Sequence, residues 1–160
     1  MAVAMLCGCQ TEKKNKEVSA LRVHIEVNSD NIGSSQAISV PRDDPVLVTI
    51  QKEPILTEAG IIAARVIDAH GGFAIEIQFD ESSALMLEQY TAANPGKHYT
   101  VFGQWGEKLA NGRWLAAPLI THRIVGGILS FTPDMSREEA VRLVLGLNNV
   151  AKKTAKGQLK

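Results

Sequence analysis

The chain has only two cysteines among its 160 residues, Cys7 and Cys9, and both lie within the first ten positions. The rest of the chain therefore has no thiol. This absence excludes a disulfide framework, a zinc site built from cysteines, and a cysteine nucleophile in the folded part of the protein.

The sequence also lacks net charge and long hydrophobic runs. Seventeen basic residues balance seventeen acidic ones, so neither nucleic acid nor an anionic membrane surface is an expected partner. No stretch approaches the roughly 20 apolar residues of a membrane-spanning helix. Aromatic residues make up only 5% of the chain.

No pattern of residues typical of catalysis is present. The serines lack the Gly-x-Ser-x-Gly context of a nucleophile elbow, and the Gly71-Gly72 and Gly126-Gly127 pairs lack the spacing and the lysine of a phosphate loop. The histidines are scattered without metal-ligand spacing: His24, His70, His98 and His122. We therefore expect no metal, no cofactor and no enzymatic activity.

Alternating and periodic patterns predict an α+β fold. Strands are expected around Leu21–Val27 and at Val46–Gln51, and Thr57 is a suitable cap for a short helix. The strongest prediction is a hairpin of Ala64–Asp68 and Phe73–Phe79, since the glycines between them adopt the positive φ of tight turns.

The second half of the chain follows with a helix from Asp80 or Ser82 to about Ala93 and a strand at Tyr99–Phe102. A long loop, Gly103–Trp114, separates these from two further strand candidates, at Leu119–Ile124 and Ile128–Thr132. Ser136 to Glu139 has the sequence of a capping box, and it opens a helix whose apolar face holds Ala140, Leu143, Val144 and Leu147. The sum is a mainly antiparallel sheet with two helices packed on one face.

The order of these features resembles the P1 head domain of SecD, a membrane subunit that assists the Sec translocase. The helix ending in Asn94-Pro95-Gly96-Lys97, the following strand, Ala117-Pro118, Gly126-Gly127 and the capped helix carry the resemblance. It implies a ferredoxin-like βαβ-type arrangement and an extracytoplasmic, non-enzymatic domain that contacts unfolded polypeptide or an envelope protein partner in protein export. Two alternatives stay open: an envelope structural or assembly lipoprotein that shares the fold, and a small ligand-binding or hydrolytic protein.

The N-terminus resembles a bacterial lipobox. In Met5-Leu6-Cys7-Gly8-Cys9, a leucine lies three residues before Cys9 and a small residue precedes it directly, so the resemblance implies lipid attachment at Cys9 after cleavage. Residues 1–9 are then a truncated signal, 10–20 a polar tether, 21–150 the folded domain and 151–160 a basic disordered tail. The lipid would be the only membrane anchor. If Met1 is the true start, the segment before Cys9 is too short and lacks a basic residue for a secretory signal, and the protein is cytoplasmic.

The Gly103–Trp114 loop holds both tryptophans of the chain. Tryptophan and arginine are enriched at interface hot spots, so Trp105, Arg113 and Trp114 are candidates for contacting a protein partner, with an exposed sheet edge as a further means of contact. The alternative is that the tryptophans fold back and anchor a long loop to the sheet.

Overall fold

The computed structural model describes residues 17–29, 33–41 and 44–158. Two short 3-10 turns, Glu58–Gly60 and Glu107–Leu109, connect strands in this part of the chain. Its strands and helices are β1 Ala20–Ile25, β2 Ser35–Val40, β3 Val46–Gln51, β4 Leu56–Thr57, β5 Ile61–Ala69, β6 Gly72–Phe79, α1 Glu81–Ala93, β7 Tyr99–Trp105, β8 Asn111–Ala116, β9 Ile128–Phe131 and α2 Arg137–Gln158.

The strands form three antiparallel sheets, with the orders β4-β1-β7-β8, β2-β3 and β5-β6-β9. The α+β class with mainly antiparallel sheets and two helices is confirmed. The β–α–β connection of β6, α1 and β7 does not join two strands of one sheet, because β6 and β7 lie in separate sheets. The helix therefore connects two layers rather than two neighbouring strands of one sheet.

The main core lies between the four-stranded sheet, the three-stranded sheet and α2. Strand β6 alternates from Ile75 onward, with Ile75, Ile77 and Phe79 buried and the residues between them partly exposed, whereas Ala74 is buried as well. Helix α2 packs on β5, β7 and β1, and the four residues of its predicted apolar face are buried. Period-2 and period-3.6 patterns thus place the same faces inside that the sequence predicts.

Local hydrogen bonds begin the helices where the sequence indicates. The Asp80 carboxylate accepts from the Ser83 N–H at 2.8 Å. In the capping box, the Ser136 N–H donates to Glu139 Oε2 at 2.9 Å, and the Glu139 N–H donates to Ser136 Oγ at 3.2 Å. These bonds satisfy backbone donors that have no partner within the helix.

Several boundaries differ from the sequence-based predictions. Strand β2 at Ser35–Val40 is not among the strands expected from the sequence. The Gly103–Trp114 segment is a hairpin of β7 and β8 rather than a loop. Leu119–Ile124 is not a strand, and only an isolated bridge between His98 and Leu119 forms there.

The ends of the domain also extend further than expected. Residues 151–158, predicted to be a disordered tail, continue helix α2 to Gln158, and Ala151 is buried. At the other end Ser19, assigned to the tether, is buried against Gly146. The buried face of α1 is narrow, because Leu87 and Thr91 are buried whereas Ala93 at the end of the helix is exposed.

Candidate functional site

Strand β2 has an outer edge whose backbone groups at Ala37 and Ser39 have no partner among the described residues. Antiparallel neighbours alternate between pairs that exchange both hydrogen bonds and pairs whose backbone groups point outward. The Lys52 N–H donates to the Ser34 carbonyl at 2.9 Å, and this bond sets the alternation along the β2–β3 register. Ala37 and Ser39 therefore direct their N–H and C=O groups away from β3.

These outward groups are accessible. Ala37 and Ser39 are exposed, and no other described residue forms a hydrogen bond with their backbone. Natural edge strands are commonly protected by charged side chains, proline or a bulge. Strand β2 has no charged residue or proline within Ser35–Val40 and no bulge in its pairing. It is thus an unprotected edge.

The opposite edge of this hairpin is closed. The Val27 N–H donates to the Thr49 carbonyl at 2.9 Å, and the His24 ring lies with Nδ1 2.9 Å from the Gln51 carbonyl oxygen. Strand β3 therefore lies beside β1 and the residues that follow it. The apolar side of the β2–β3 hairpin packs against Trp114 and Ala117 and holds a small cluster of its own: Ile38, Val40, Val48 and Ile50.

A cleft of about 380 Å³ lies beside β2, on the outer face of the four-stranded sheet. Two aromatic contacts form its wall. The Trp114 ring meets the Phe102 ring at 5.1 Å and the His24 ring at 5.3 Å, both edge-on. The full lining is Arg22, His24, Gln36, Lys52, Pro54, Phe102 and Trp114.

The charge in the cleft is positive. Arg22 and Lys52 line it. His24 favours the neutral form, because burial lowers its pKa below the ordinary value. The bond to Gln51 opposes this lowering of the pKa, and the charge of Arg22 reinforces it. Because a carbonyl only accepts, Nδ1 of His24 carries the hydrogen, and the neutral ring leaves Nε2 unprotonated. The cleft thus combines two cations with apolar rings.

Of the three partner-contact candidates, only Trp114 lies in this cleft. Trp105 is 1% exposed and belongs to the main core, which favours the alternative that it anchors its segment. Arg113 lies over the Trp105 ring, with its guanidinium carbon 5.4 Å from the ring centroid. It donates to the Asp134 carbonyl at 3.0 Å and to Glu139 at 2.9 Å, so it links the hairpin to the start of α2.

Sequence reasoning missed most of this site. Arg22, Lys52 and Phe102 lie far apart in the chain, and no local pattern connects them. The alternation of Ile38 and Val40 with polar residues was a usable indication of β2, but the preceding turn-rich segment obscured it. Cys9, the predicted lipid attachment residue, lies outside the described residues.

Other surface features offer less. Two wider depressions, of about 650 and 710 Å³, lie beside α1 and beside the β7–β8 turn, and neither has an aromatic side chain in its lining. On the outer edge of β9, the Tyr99 hydroxyl donates to the Ser130 carbonyl at 3.3 Å. Burial raises the pKa of this tyrosine to about 12.

Two features are absent from the described residues. No helix there has both the length and the hydropathy of a membrane-spanning segment. No group of three or more His, Cys, Asp or Glu side chains lies close enough together there to hold a metal ion.

Comparisons with known proteins agree on one family. The model of the family described as "SecDF, P1 head subdomain" matches residues 35–151. A solved structure titled "Structure and function of a membrane component SecDF that enhances protein export" is 20% identical with a TM-score of 0.59, over 93% of this chain and 72% of that one. The "Crystal structure of SecDF in Super-membrane-facing form" also gives 20% and 0.59, over 88% of this chain but only 21% of that one. No curated protein sequence matches.

Proposed function

The chain belongs to the SecDF P1 head subdomain family, and we propose on that basis that it is a non-enzymatic, extracytoplasmic domain that contacts unfolded polypeptide during protein export. A solved relative of the same fold is described as a membrane component that enhances protein export. The present chain spans only about a fifth of the longer solved SecDF protein, 21%. The proposal therefore concerns contact with the polypeptide and not the work of a complete SecDF.

The observation that carries this proposal is the open edge of β2. An extended polypeptide that adds to a sheet edge forms main-chain hydrogen bonds whatever its side chains are. Ala37 and Ser39 offer two N–H donors and two C=O acceptors for such a strand. This mode of contact suits a protein that must meet many different unfolded sequences.

The cleft next to β2 supports the same mode. Side chains alternate between the two faces of an added strand, and those on its inner face would lie near the Phe102 and Trp114 rings. Aromatic rings bind apolar side chains over a large area with little loss of conformational entropy. Backbone bonds would thus supply general affinity, and the rings would favour segments with exposed apolar residues.

A proline in β2 tests the edge directly. Ser39 directs its N–H outward, so Ser39→Pro removes that donor and leaves the β2–β3 ladder bonds in place. We expect an affinity loss of about tenfold or more for a fluorescent, extended peptide of alternating polar and apolar residues, measured by anisotropy. Ser39→Ala, which keeps the N–H, should bind like the unchanged protein.

A second version of the experiment changes the peptide and not the protein. In an extended peptide, alternate backbone N–H groups face opposite edges, so methylation of one alternate set of nitrogens removes the donors of one edge only. Methylation of the set that faces β2 should abolish binding, whereas methylation of the other set should preserve it. Equal binding of the two methylated peptides would show that the β2 edge is not the contact. The same conclusion would follow if Ser39→Pro bound the peptide as tightly as the unchanged protein and had the same thermal melt.

We also propose that the protein is held at the membrane by lipid on Cys9. The lipobox resemblance of Leu6 to Cys9 and the polar residues that follow support this. Expressed from its native start in its host, the protein should incorporate labelled palmitate and partition into detergent. A Cys9→Ala variant that stays equally membrane-associated would contradict the proposal.

A further inference from the structure

Arg22 differs from every other arginine that the structure describes. It has no ion pair and no hydrogen bond from its side chain within the described residues. The remaining arginines of this part of the chain each pair with a carboxylate: Arg65 with Glu76, Arg113 with Glu139, Arg123 with Glu88, Arg137 with Asp68 and Arg142 with Glu17. Among the arginines that the structure describes, the guanidinium without a counter-ion is thus the one in the cleft beside β2.

The sheet register brings Arg22 into line with the aromatic wall. Arg22 is paired with Phe102 across β1 and β7, and Phe102 is paired with Trp114 across β7 and β8. The three side chains form one transverse row on the outer face of the sheet. Lys52 lies at the same cleft and donates to the Gly33 carbonyl at 2.8 Å, and it too has no carboxylate partner among the described residues.

Two unpaired cations beside aromatic rings are complementary to a carboxylate. An added strand would displace water beside the rings, and the attraction between opposite charges would then be stronger than in bulk solvent. Glu53 is close enough for its charge to act on His24, and the Glu58 carboxylate accepts from the Leu21 N–H beside Arg22, yet neither acid forms an ion pair with Arg22. An arginine also binds a carboxylate through two parallel hydrogen bonds.

We propose that the cleft binds an acidic side chain of the polypeptide strand added to β2, paired with Arg22 and Lys52, while an apolar side chain on the same face of that strand lies against Trp114. This inference rests on the proposed function, because it assumes that a strand adds to the β2 edge. Residues on one face of a strand are separated by one residue. The preferred segment is therefore acidic–any–apolar, in either direction.

The test uses the full chain and three fluorescent peptides that differ at one central inward position, Glu, Gln or Lys. The Glu peptide should bind about fivefold more tightly than the Gln peptide, and the Lys peptide should bind most weakly. Arg22→Gln should remove the preference for Glu over Gln. Arg65→Gln, which removes the same charge from a distant sheet, should leave it unchanged.

Charge reversal makes the test sharper. The Arg22→Glu variant should bind the Lys peptide better than the Glu peptide, and a merely structural role of Arg22 would not invert the order. Equal affinities of the unchanged protein for the Glu and Gln peptides, with binding still lost in Ser39→Pro, would overturn this inference and leave the edge contact intact. No binding of any peptide would overturn the proposed function itself.

Discussion

Two sheet edges of this protein differ in whether their outward backbone groups are hydrogen-bonded. The outer edge of β5 is covered at Ala64 by a side chain of helix α2: Asn148 Oδ1 accepts from the Ala64 N–H and Asn148 Nδ2 donates to the Ala64 carbonyl, both at 2.8 Å. One amide thus imitates a neighbouring strand. The outer edge of β2 has no such cover within the described residues, and its backbone groups at Ala37 and Ser39 stay unpaired.

The apolar layers beneath these edges differ in the same sense. Strand β5 belongs to the sheet that packs, with α2, on the main core. Strand β2 rests on a cluster of four buried residues backed by Trp114. The covered edge is thus part of the larger layer, which holds the main core and which we call the structural body. The open edge belongs to a smaller layer that is available for contact.

The tryptophans provide the largest test, because one lies in each layer. Trp105→Ala should lower the free energy of unfolding by about 3–5 kcal/mol, since it empties a large buried site. Trp114→Ala should lower it by about 1 kcal/mol, because Trp114 is partly exposed, and should weaken peptide binding by about 2 kcal/mol. Urea titrations and anisotropy measure both. Similar losses of stability would remove the distinction between the layers.

Strand β6 tests the burial pattern of the structural body. Ile77→Ala should cost about 2–5 kcal/mol of stability because Ile77 is 0% exposed. Glu76, on the other face, forms a surface ion pair with Arg65, so Glu76→Ala should cost less than about 1 kcal/mol. A denaturant titration with equal losses at the two positions would show that the strand register is wrong.

Replacing Asn148 would uncover the edge of β5 at Ala64. Asn148→Leu leaves the Ala64 N–H and C=O without partners, which should cost about 1–3 kcal/mol. The bared edge of β5 should also promote self-association, visible by analytical ultracentrifugation. Gln89→Leu, an exposed amide on α1, is the matched control and should do neither. A variant as stable and as monomeric as the control would show that Asn148 does not protect the edge.

The smallest expected effect concerns pH at the open layer. Burial lowers the pKa of His24 below the ordinary 6.5, so the folded state favours the neutral ring. Its contribution to stability is full above pH 6.5 and is lost as the pH falls through that value toward the lowered folded pKa. His24→Asn, which can still donate to the Gln51 carbonyl, should reduce this decline in urea titrations at neutral and acidic pH. The same decline in His24→Asn and in the unchanged protein would exclude His24 as its source.

Local interactions of the structural body were predictable from the sequence. The hairpin around Gly71, the cap at Asp80 and the capping box at Ser136 depend on residues that are close in the chain. The site was largely not predictable. Strand β2 has only two strongly apolar residues, and its neighbours in the cleft come from β1, β7, β8 and the segment after β3. Such contacts arise only when the sheets assemble.

What the sequence by itself determined is the alternation of faces along each strand, the positions of the turns and the starts of the helices, because these follow from short-range geometry. What only the tertiary structure decided is which face of each strand became the interior. The register of β7 and β8 pairs Trp114 with Phe102 on the outer face, whereas Trp105 follows Val101 and Gly103 on the inner face. A shift of one residue would exchange those faces. The two tryptophans, alike in the sequence, are therefore a core residue and a wall of the candidate site because of the way the hairpin pairs.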